Sequence, residues 1–407
     1  MNLRKFFTAI AVLSCTIGSM SAQYAQTYKR VKTISDSICN LYAPDSRTEI
    51  FSCNHTFAGS DSTTFTLTGL TTSKMGHEAL IQAYAKSGFT VNDNVQLLPD
   101  KNELGERIWG IVRNSVCNLR KGADYDAENV TQAQMGMPVR VLHNEDGWLL
   151  IQTPDRYIGF VNSSAIKRIT RSDMEQWNAS QKVVITSLWG QAFEKPNMKS
   201  QPLCDVIGGN RVKLLGTKGK FFYVELPDGR KGYISKQVGK EESKWRANLS
   251  MKAEDILKTA FSLYGIPYLW SGLSPKGVDC SGFVRTTLLM HDIIIPRDCS
   301  QMCVKGQRIE IGDFSNLLPG DLLFFGSRNK TTGKERVSHV GFYTGNKHFI
   351  HSLGNVHEGS FNPADDIYDE YNLGRLLFAT RVLPFINRED GLNTTDKNPF
   401  YSDKLNF

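Results

Sequence analysis

The residues best suited to chemistry are one cysteine between polar neighbours and two histidines at strand spacing. Cys280 stands in Asp279-Cys280-Ser281-Gly282-Phe283, with Phe283, Val284, Thr287 and Leu288 recurring at helical spacing behind it. The spacing predicts a helix that begins close to Cys280. A sulfur at that end sits in the positive field of the helix dipole, where backbone N–H groups stabilise a thiolate and lower its pKa. The same N–H groups can receive the oxyanion formed when a thiolate attacks a carbonyl. Free cysteines are most often buried core residues; Asp279 and Ser281 on either side of this one suit a cleft instead.

A nucleophilic thiol needs a base. His339 lies in Ser338-His339-Val340-Gly341-Phe342-Tyr343 and His351 in His348-Phe349-Ile350-His351, two strand patterns separated by the turn residues Thr344-Gly345-Asn346. With a three-residue loop, Tyr343 pairs Lys347 and His339 falls directly opposite His351 on one face. A two-residue loop would send His351 to the other face. A Cys-His-His site therefore requires the three-residue loop, with Gly345 or Asn346 at positive φ. His339 is then the base, and His351 orients and polarises it. His348 and His357 lack this placement and read as surface residues, while His55, His77, His143 and His291 show no partner pattern. Pro319-Gly320-Asp321-Leu322-Leu323-Phe324-Phe325 reads as a turn into a buried strand that brings the histidine strand over the helix.

In type and order, Asp279-Cys280-Ser281-Gly282, Gly320-Asp321-Leu322, Ser338-His339-Val340-Gly341 and His351 resemble NlpC/P60 cysteine peptidases over residues 250–385. Pro267-Tyr268-Leu269-Trp270 and Arg297-Asp298 are similar to the γ-D-glutamyl-L-diamino acid endopeptidases within that group. Those enzymes cleave between γ-D-glutamate and the diamino acid of murein peptides and favour a free N-terminal L-alanine. The resemblance implies Cys280 as nucleophile, His339 as base, His351 as third member and Tyr268 as oxyanion support. It implies that Asp279, Ser281, Asp298 and Trp270 line the substrate side. It further implies that an SH3-like module offers a tyrosine and an acid to the free amine, positions that Tyr157 and Glu128 fit. Two departures stand out: Ser271-Gly272 replaces the usual Gly-Gly, and Cys299 follows Asp298 where Ser or Thr is frequent. Acyl transfer through a thioester requires neither metal nor cofactor.

Upstream, the sequence repeats itself at an interval of 73 residues. Gly136, Val139, Leu142, Pro154, Asp155 and Gly159 match Gly209, Val212, Leu215, Pro227, Asp228 and Gly232 without a gap. Short alternating runs between turn residues make each copy a small all-β module, and the pattern resembles bacterial SH3 domains. The fold class expected is multidomain: a small N-terminal α+β region (23–105), two SH3-like β-barrels (106–170 and 180–242), and a C-terminal α+β papain-like NlpC/P60 domain (249–386). Residues 240–250 read as a linker. Ser250 reads as the cap of the helix that follows, and 387–407 as a loose tail or surface strap.

The 407 residues, 40% hydrophobic and 22% charged, exclude collagen-like, coiled-coil and wholly disordered chains. A net charge of +7 is scattered rather than blocked, so nucleic acid is not an expected partner; an anionic wall polymer is compatible with it. Arg4 and Lys5, an apolar run from Phe6 to Ile17 and the small residues up to Ala22 read as an export signal (1–22), with a secreted or periplasmic product. Val12-Leu13-Ser14-Cys15 is an imperfect lipoprotein box, so anchoring through Cys15 is the lesser alternative. No further segment is apolar enough to span a membrane. Eight cysteines, seven without Cys15, leave at least one thiol unpaired. Cys299 and Cys303 read as small buried side chains. A monomer acting on murein peptides is expected. The rival readings are a wall-binding protein with a degenerate catalytic domain, and another amidase or acyltransferase on the same scaffold.

Overall fold

The computed structural model of the chain describes residues 22–57, 63–388 and 392–405. The expected export segment and Cys15 lie outside these, apart from Ala22, which opens the first helix. Among the described residues no helix is long and apolar enough to cross a membrane.

The N-terminal region is a three-stranded sheet of β1 (Phe51–Phe57), β2 (Thr64–Thr71) and β3 (Thr90–Leu97) with helices α1 (Ala22–Tyr42) and α2 (Lys74–Lys86). Alternation in β2 sends Phe65 and Leu67 into a core shared with Val31, Leu80 and Tyr84. The Ser73 hydroxyl caps α2 by accepting from the Gly76 N–H.

Residues 109–169 and 182–241 each form a seven-stranded antiparallel sheet. Each strand of the second begins 73 residues after its counterpart, from Trp109 and Lys182 through to Ile166 and Gly239, and the spatial order is the same. The expected closed barrels are not formed. In the first sheet the edge strands are Ile166–Ile169 and β4 (Asn129–Gln134), and they do not pair with each other. One apolar cluster nevertheless takes Val112, Leu119, Ala133, Val141, Ile151, Val161 and Ile166, one from each strand. The sheet therefore wraps its core without closing its ladder. The open edge has a use: Gln132 Oε1 accepts from the Leu273 N–H (2.8 Å) and Gln134 Nε2 donates to the Leu273 carbonyl (2.8 Å), binding β4 to the C-terminal domain.

The C-terminal domain packs α3 (Ala253–Ser262) and α4 (Cys280–Leu289) on a six-stranded antiparallel sheet. The strands are β5 (Gln307–Ile309), β6 (Leu322–Arg328), β7 (Glu335–Gly345), β8 (His348–Leu353), β9 (Asn355–Ser360) and β10 (Leu376–Arg381), in the order β5-β10-β6-β7-β8-β9. All ten residues of α4 are buried, so this helix is the core of the domain. Ser250 is not the cap of α3, which starts from Lys252 without a side-chain cap. The Ser250 hydroxyl instead accepts from the Lys252 N–H, and its carbonyl from His291 Nδ1.

The expected linker is ordered. Residues 242–247 form a helix with Trp245 buried, and Arg246 Nε donates to Asp292 Oδ2 at 2.7 Å. Arg211, itself buried, bridges Glu242 and Asp292. Residues 392–405 are a strap rather than a loose tail. Asn393–Thr394 pairs Ile293–Ile294, and Phe400 and Leu405 are buried against Trp109 and Trp177 of the first sheet and its following helix.

Candidate active site

Asp279 caps α4 and is saturated by the protein. Its Oδ1 accepts from the Gly282 N–H (2.7 Å), Ser281 Oγ (3.2 Å) and Arg297 Nη1 (3.2 Å). Its Oδ2 accepts from the Ser271 N–H (3.0 Å) and Arg297 Nη2 (2.6 Å). Ser281 Oγ accepts in turn from Arg297 Nη1 at 2.7 Å. Asp279 and Ser281, expected on the substrate side, thus spend these polar atoms holding the helix start in place. Arg297 is fully buried and also donates from Nε to Thr131 Oγ1 of β4 (3.0 Å), so the first sheet helps fix the same corner. Gly282 is required by close approach, because a Cβ there would lie 1.9 Å from the Gly272 carbonyl oxygen. Ser271, which stands in for a glycine of the family pattern, holds a left-handed φ of 62°, and its buried hydroxyl has no hydrogen-bond partner among the described residues.

Cys280 opens the helix and keeps 8% of its surface exposed. Its thiol is held well below the ordinary cysteine range, first by a hydrogen bond from the Cys299 thiol and then by His339, against the opposing effect of burial. The Cys299 thiol is pushed up correspondingly, by that shared hydrogen bond and by burial. Cys299 is therefore a neighbour of the Cys280 sulfur rather than only a packing residue. The seven described cysteines are all free thiols.

His339 and His351 converge, but the loop between them is not the expected one. The register is Gly341 with His351, Tyr343 with Phe349, and Gly345 with His348, with Thr344 bulged out. Asn346 and Lys347, at φ 51° and 65°, make a two-residue turn of the primed type. The bulge adds the residue that restores parity, so His339 and His351 share a face. They sit diagonally rather than directly opposite, because Gly341 is the residue across from His351. A Cβ on Gly341 would lie 2.9 Å from the His351 Cβ. His339 Nε2 and His351 Nδ1 are 2.8 Å apart. Since His339 also hydrogen-bonds the Cys280 sulfur, its remaining nitrogen, Nδ1, faces the sulfur. His351 has no exposed surface, and burial, followed by His339 and His357, pulls its pKa down to about 2. It is a neutral partner. His357, read as a surface residue, instead places Nε2 3.1 Å from His351 Nε2.

Tyr268 is half-buried, with its pKa pushed up to about 12 by burial and then by charge at Cys280 and Asp279, so its phenol remains an O–H donor beside the sulfur. Trp270, two residues on, is 61% exposed. On the far side, Asp298 Oδ2 accepts from Tyr157 Oη at 3.4 Å. Burial, then the Asp298 charge, raises the Tyr157 pKa. Glu128 is exposed, just before β4, and carries no ion pair or side-chain hydrogen bond among the described residues. A charged group from the N-terminal region reaches Asp298. Arg47 Nη1 donates to Asp298 Oδ2 (2.7 Å) and Ser300 Oγ (2.9 Å), while Asp45 grips Arg47 through Nε and Nη2. Asp45 also accepts from Gln301 Nε2, and its pKa falls to about 2 because bonds from Arg47 and Gln301 outweigh its burial. A cleft of about 470 Å³, lined by Asp45, Arg47, Ser300 and Gln301 among others, opens here.

A sulfur held as thiolate at a helix mouth, backed by an imidazole pair, is equipped for nucleophilic acyl transfer. The NlpC/P60 family pattern matches residues 265–376, and the bacterial dipeptidyl-peptidase Sh3 domain pattern matches residues 119–166. The chain is 30% identical over 228 residues to the gamma-D-glutamyl-L-lysine dipeptidyl-peptidase of Bacillus cereus (strain ATCC 10987 / NRS 248), covering 54% of this chain and 66% of that protein. It is 26% identical over 270 residues to dipeptidyl-peptidase 6 of Lysinibacillus sphaericus, covering 64% of this chain and 93% of that protein. The crystal structure of an NlpC/P60 family protein from Bacillus cereus ATCC 10987 shares the fold, with a TM-score of 0.58 at 22% identity over 68% of this chain and 100% of that one. The family match and these relatives support a cysteine peptidase hydrolase. The chain joins an NlpC/P60 domain to a bacterial dipeptidyl-peptidase Sh3 domain.

Proposed function

We propose that this protein is a peptidoglycan-peptide endopeptidase that hydrolyses the bond between γ-D-glutamate and the diamino acid of murein fragments bearing a free N-terminal L-alanine. The observation that carries this reading is the meeting of Cys280, at the mouth of α4, with the His339–His351 pair. The thiolate attacks the γ-carbonyl carbon, and its oxygen becomes an oxyanion beside the helix-start N–H groups and the Tyr268 hydroxyl. His339, as imidazolium, protonates the diamino acid nitrogen as the C–N bond breaks, leaving a thioester. Water then gives its proton to His339 and its oxygen to the carbonyl carbon, and the sulfur departs.

Asp298 and Tyr157 support recognition of the ammonium group. A half-buried carboxylate beside a buried tyrosine hydroxyl can discriminate against a substrate that lacks the amine. The pattern of Arg4, Lys5 and the apolar run behind them supports export, which places the enzyme where murein peptides are released. The test compares L-Ala-γ-D-Glu-diaminopimelate with its N-acetylated form. We expect release of diaminopimelate from the free peptide alone, and none with Cys280→Ala. Equal cleavage of both peptides contradicts the amine preference, and cleavage by Cys280→Ala contradicts the nucleophile.

A further inference from the structure

The His339–His351 pair does not end at His351. Across the β8–β9 hairpin His351 is register partner to His357, and their Nε2 atoms are 3.1 Å apart. His357 Nδ1 lies 3.0 Å from the backbone carbonyl of Asn355 and 3.1 Å from Asn355 Oδ1. A carbonyl oxygen only accepts, so His357 Nδ1 carries a proton. Neutral His357 then has a bare Nε2, which accepts from His351 Nε2–H. Neutral His351 in turn has a bare Nδ1, which accepts from His339 Nε2–H at 2.8 Å. With Nε2–H committed to His351, His339 is left with Nδ1 toward the sulfur, where it takes up the thiol proton to become the imidazolium. Each link follows from the one before, and the starting point is a peptide carbonyl that cannot change its role.

We propose that His357 is a positioning residue for the base: anchored on Asn355, it fixes the tautomer of His351 so that His339 Nε2–H is committed to His351 and Nδ1 is the nitrogen that exchanges a proton at the Cys280 sulfur. The inference rests on the reading of Cys280 and His339 as nucleophile and base. Without an acceptor at 357, His351 Nε2–H loses its partner and the Nδ1–H tautomer becomes competitive. That tautomer sets two donors against each other between His351 and His339 and turns the base away from its working state. The low pKa of His351, about 2, keeps it from protonating, so the chain transmits orientation rather than charge.

The test uses the full-length protein with His357→Leu, which removes the acceptor, and His357→Gln, whose amide oxygen can replace it. On L-Ala-γ-D-Glu-diaminopimelate, kcat of His357→Leu is expected to fall roughly ten-fold or more with KM unchanged, and His357→Gln to recover most of the loss. Nitrogen-15 NMR of histidine-labelled protein reads the tautomers without reference to turnover. In the parent protein His351 is expected as Nε2–H and His357 as Nδ1–H, and in His357→Leu the single His351 tautomer is lost. A parent spectrum with His351 protonated at Nδ1 overturns the proposal even if the leucine variant fails to fold. A folded leucine variant with parental kcat also overturns it. A Cys280→Ala variant that still turns over refutes the nucleophile instead, and leaves the tautomer measurement to decide this inference.

Discussion

Cys280 was legible because the residues that announce it are its sequence neighbours. Asp279, Ser281 and the apolar spacing behind them mark a helix start and a cleft at once. What the sequence could not show is who else touches the sulfur. Cys299 and Arg297 lie 19 and 17 residues away, and only the fold brings them to the helix mouth. Nor did it show that Asp279 and Ser281 are committed to Arg297, or that Arg47 reaches Asp298. The Cys299 thiol and His339 both lower the Cys280 pKa. A thiol pKa held low keeps the thiolate populated as pH falls, so the acid limb of kcat/KM lies at low pH. Cys299→Ala removes that thiol, and the acid limb is expected to move to higher pH while the alkaline limb stays in place. An unmoved acid limb would assign the lowering to His339 alone.

At the scale of elements, the period of two in a strand was enough to place His339 and His351 on one face, since any even shift in pairing keeps both there. The loop was misread because a turn of two residues plus a bulge has the same parity as a loop of three. His357 escaped notice although the same register argument, applied about Gly354, pairs it with His351. The β7–β8 turn also carries a cost that can be measured. Lys347 holds φ at 65°, a region that glycine occupies without steric penalty. Lys347→Gly is expected to stabilise the protein by about 1 kcal/mol at unchanged kcat, read as a rise in the denaturation midpoint. A fall in that midpoint would mean that the lysine side chain contributes more than its backbone strain costs.

For the whole molecule, the 73-residue repeat foretold two equivalent modules down to the first residue of each strand, because duplicated turns and alternations repeat locally. Barrel closure was wrongly expected, and the joins between modules were invisible, because both depend on contacts between distant segments. The buried Arg285–Asp155 and Arg211–Asp292 pairs, at 2.7 Å each, tie the two sheets to the catalytic domain, and the strap from 392 onward crosses back to the first sheet. Burial in this assembly also sets a pH response. His351 and His55 have folded pKa values lowered to about 2 and about 4. The unfolded chain takes up their protons near pH 6.5, before the folded one does. Stability is therefore full above that pH and declines as pH falls toward 4, by up to about 1.4 kcal/mol per histidine per pH unit. A melting temperature that drops on acidification from pH 7 to 5 is the expected outcome, and a flat profile over that range would contradict the neutral burial of these rings.

The central claim is that a single sulfur is kept nucleophilic by the imidazole facing it. Brief alkylation with substoichiometric iodoacetamide at pH 6, followed by peptide mapping, tests it without any substrate. The label is predicted on Cys280, ahead of the six other described cysteines, and is predicted to be lost in His339→Ala. Slow labelling spread over all the cysteines, or Cys280 labelling that persists in His339→Ala, would contradict the account.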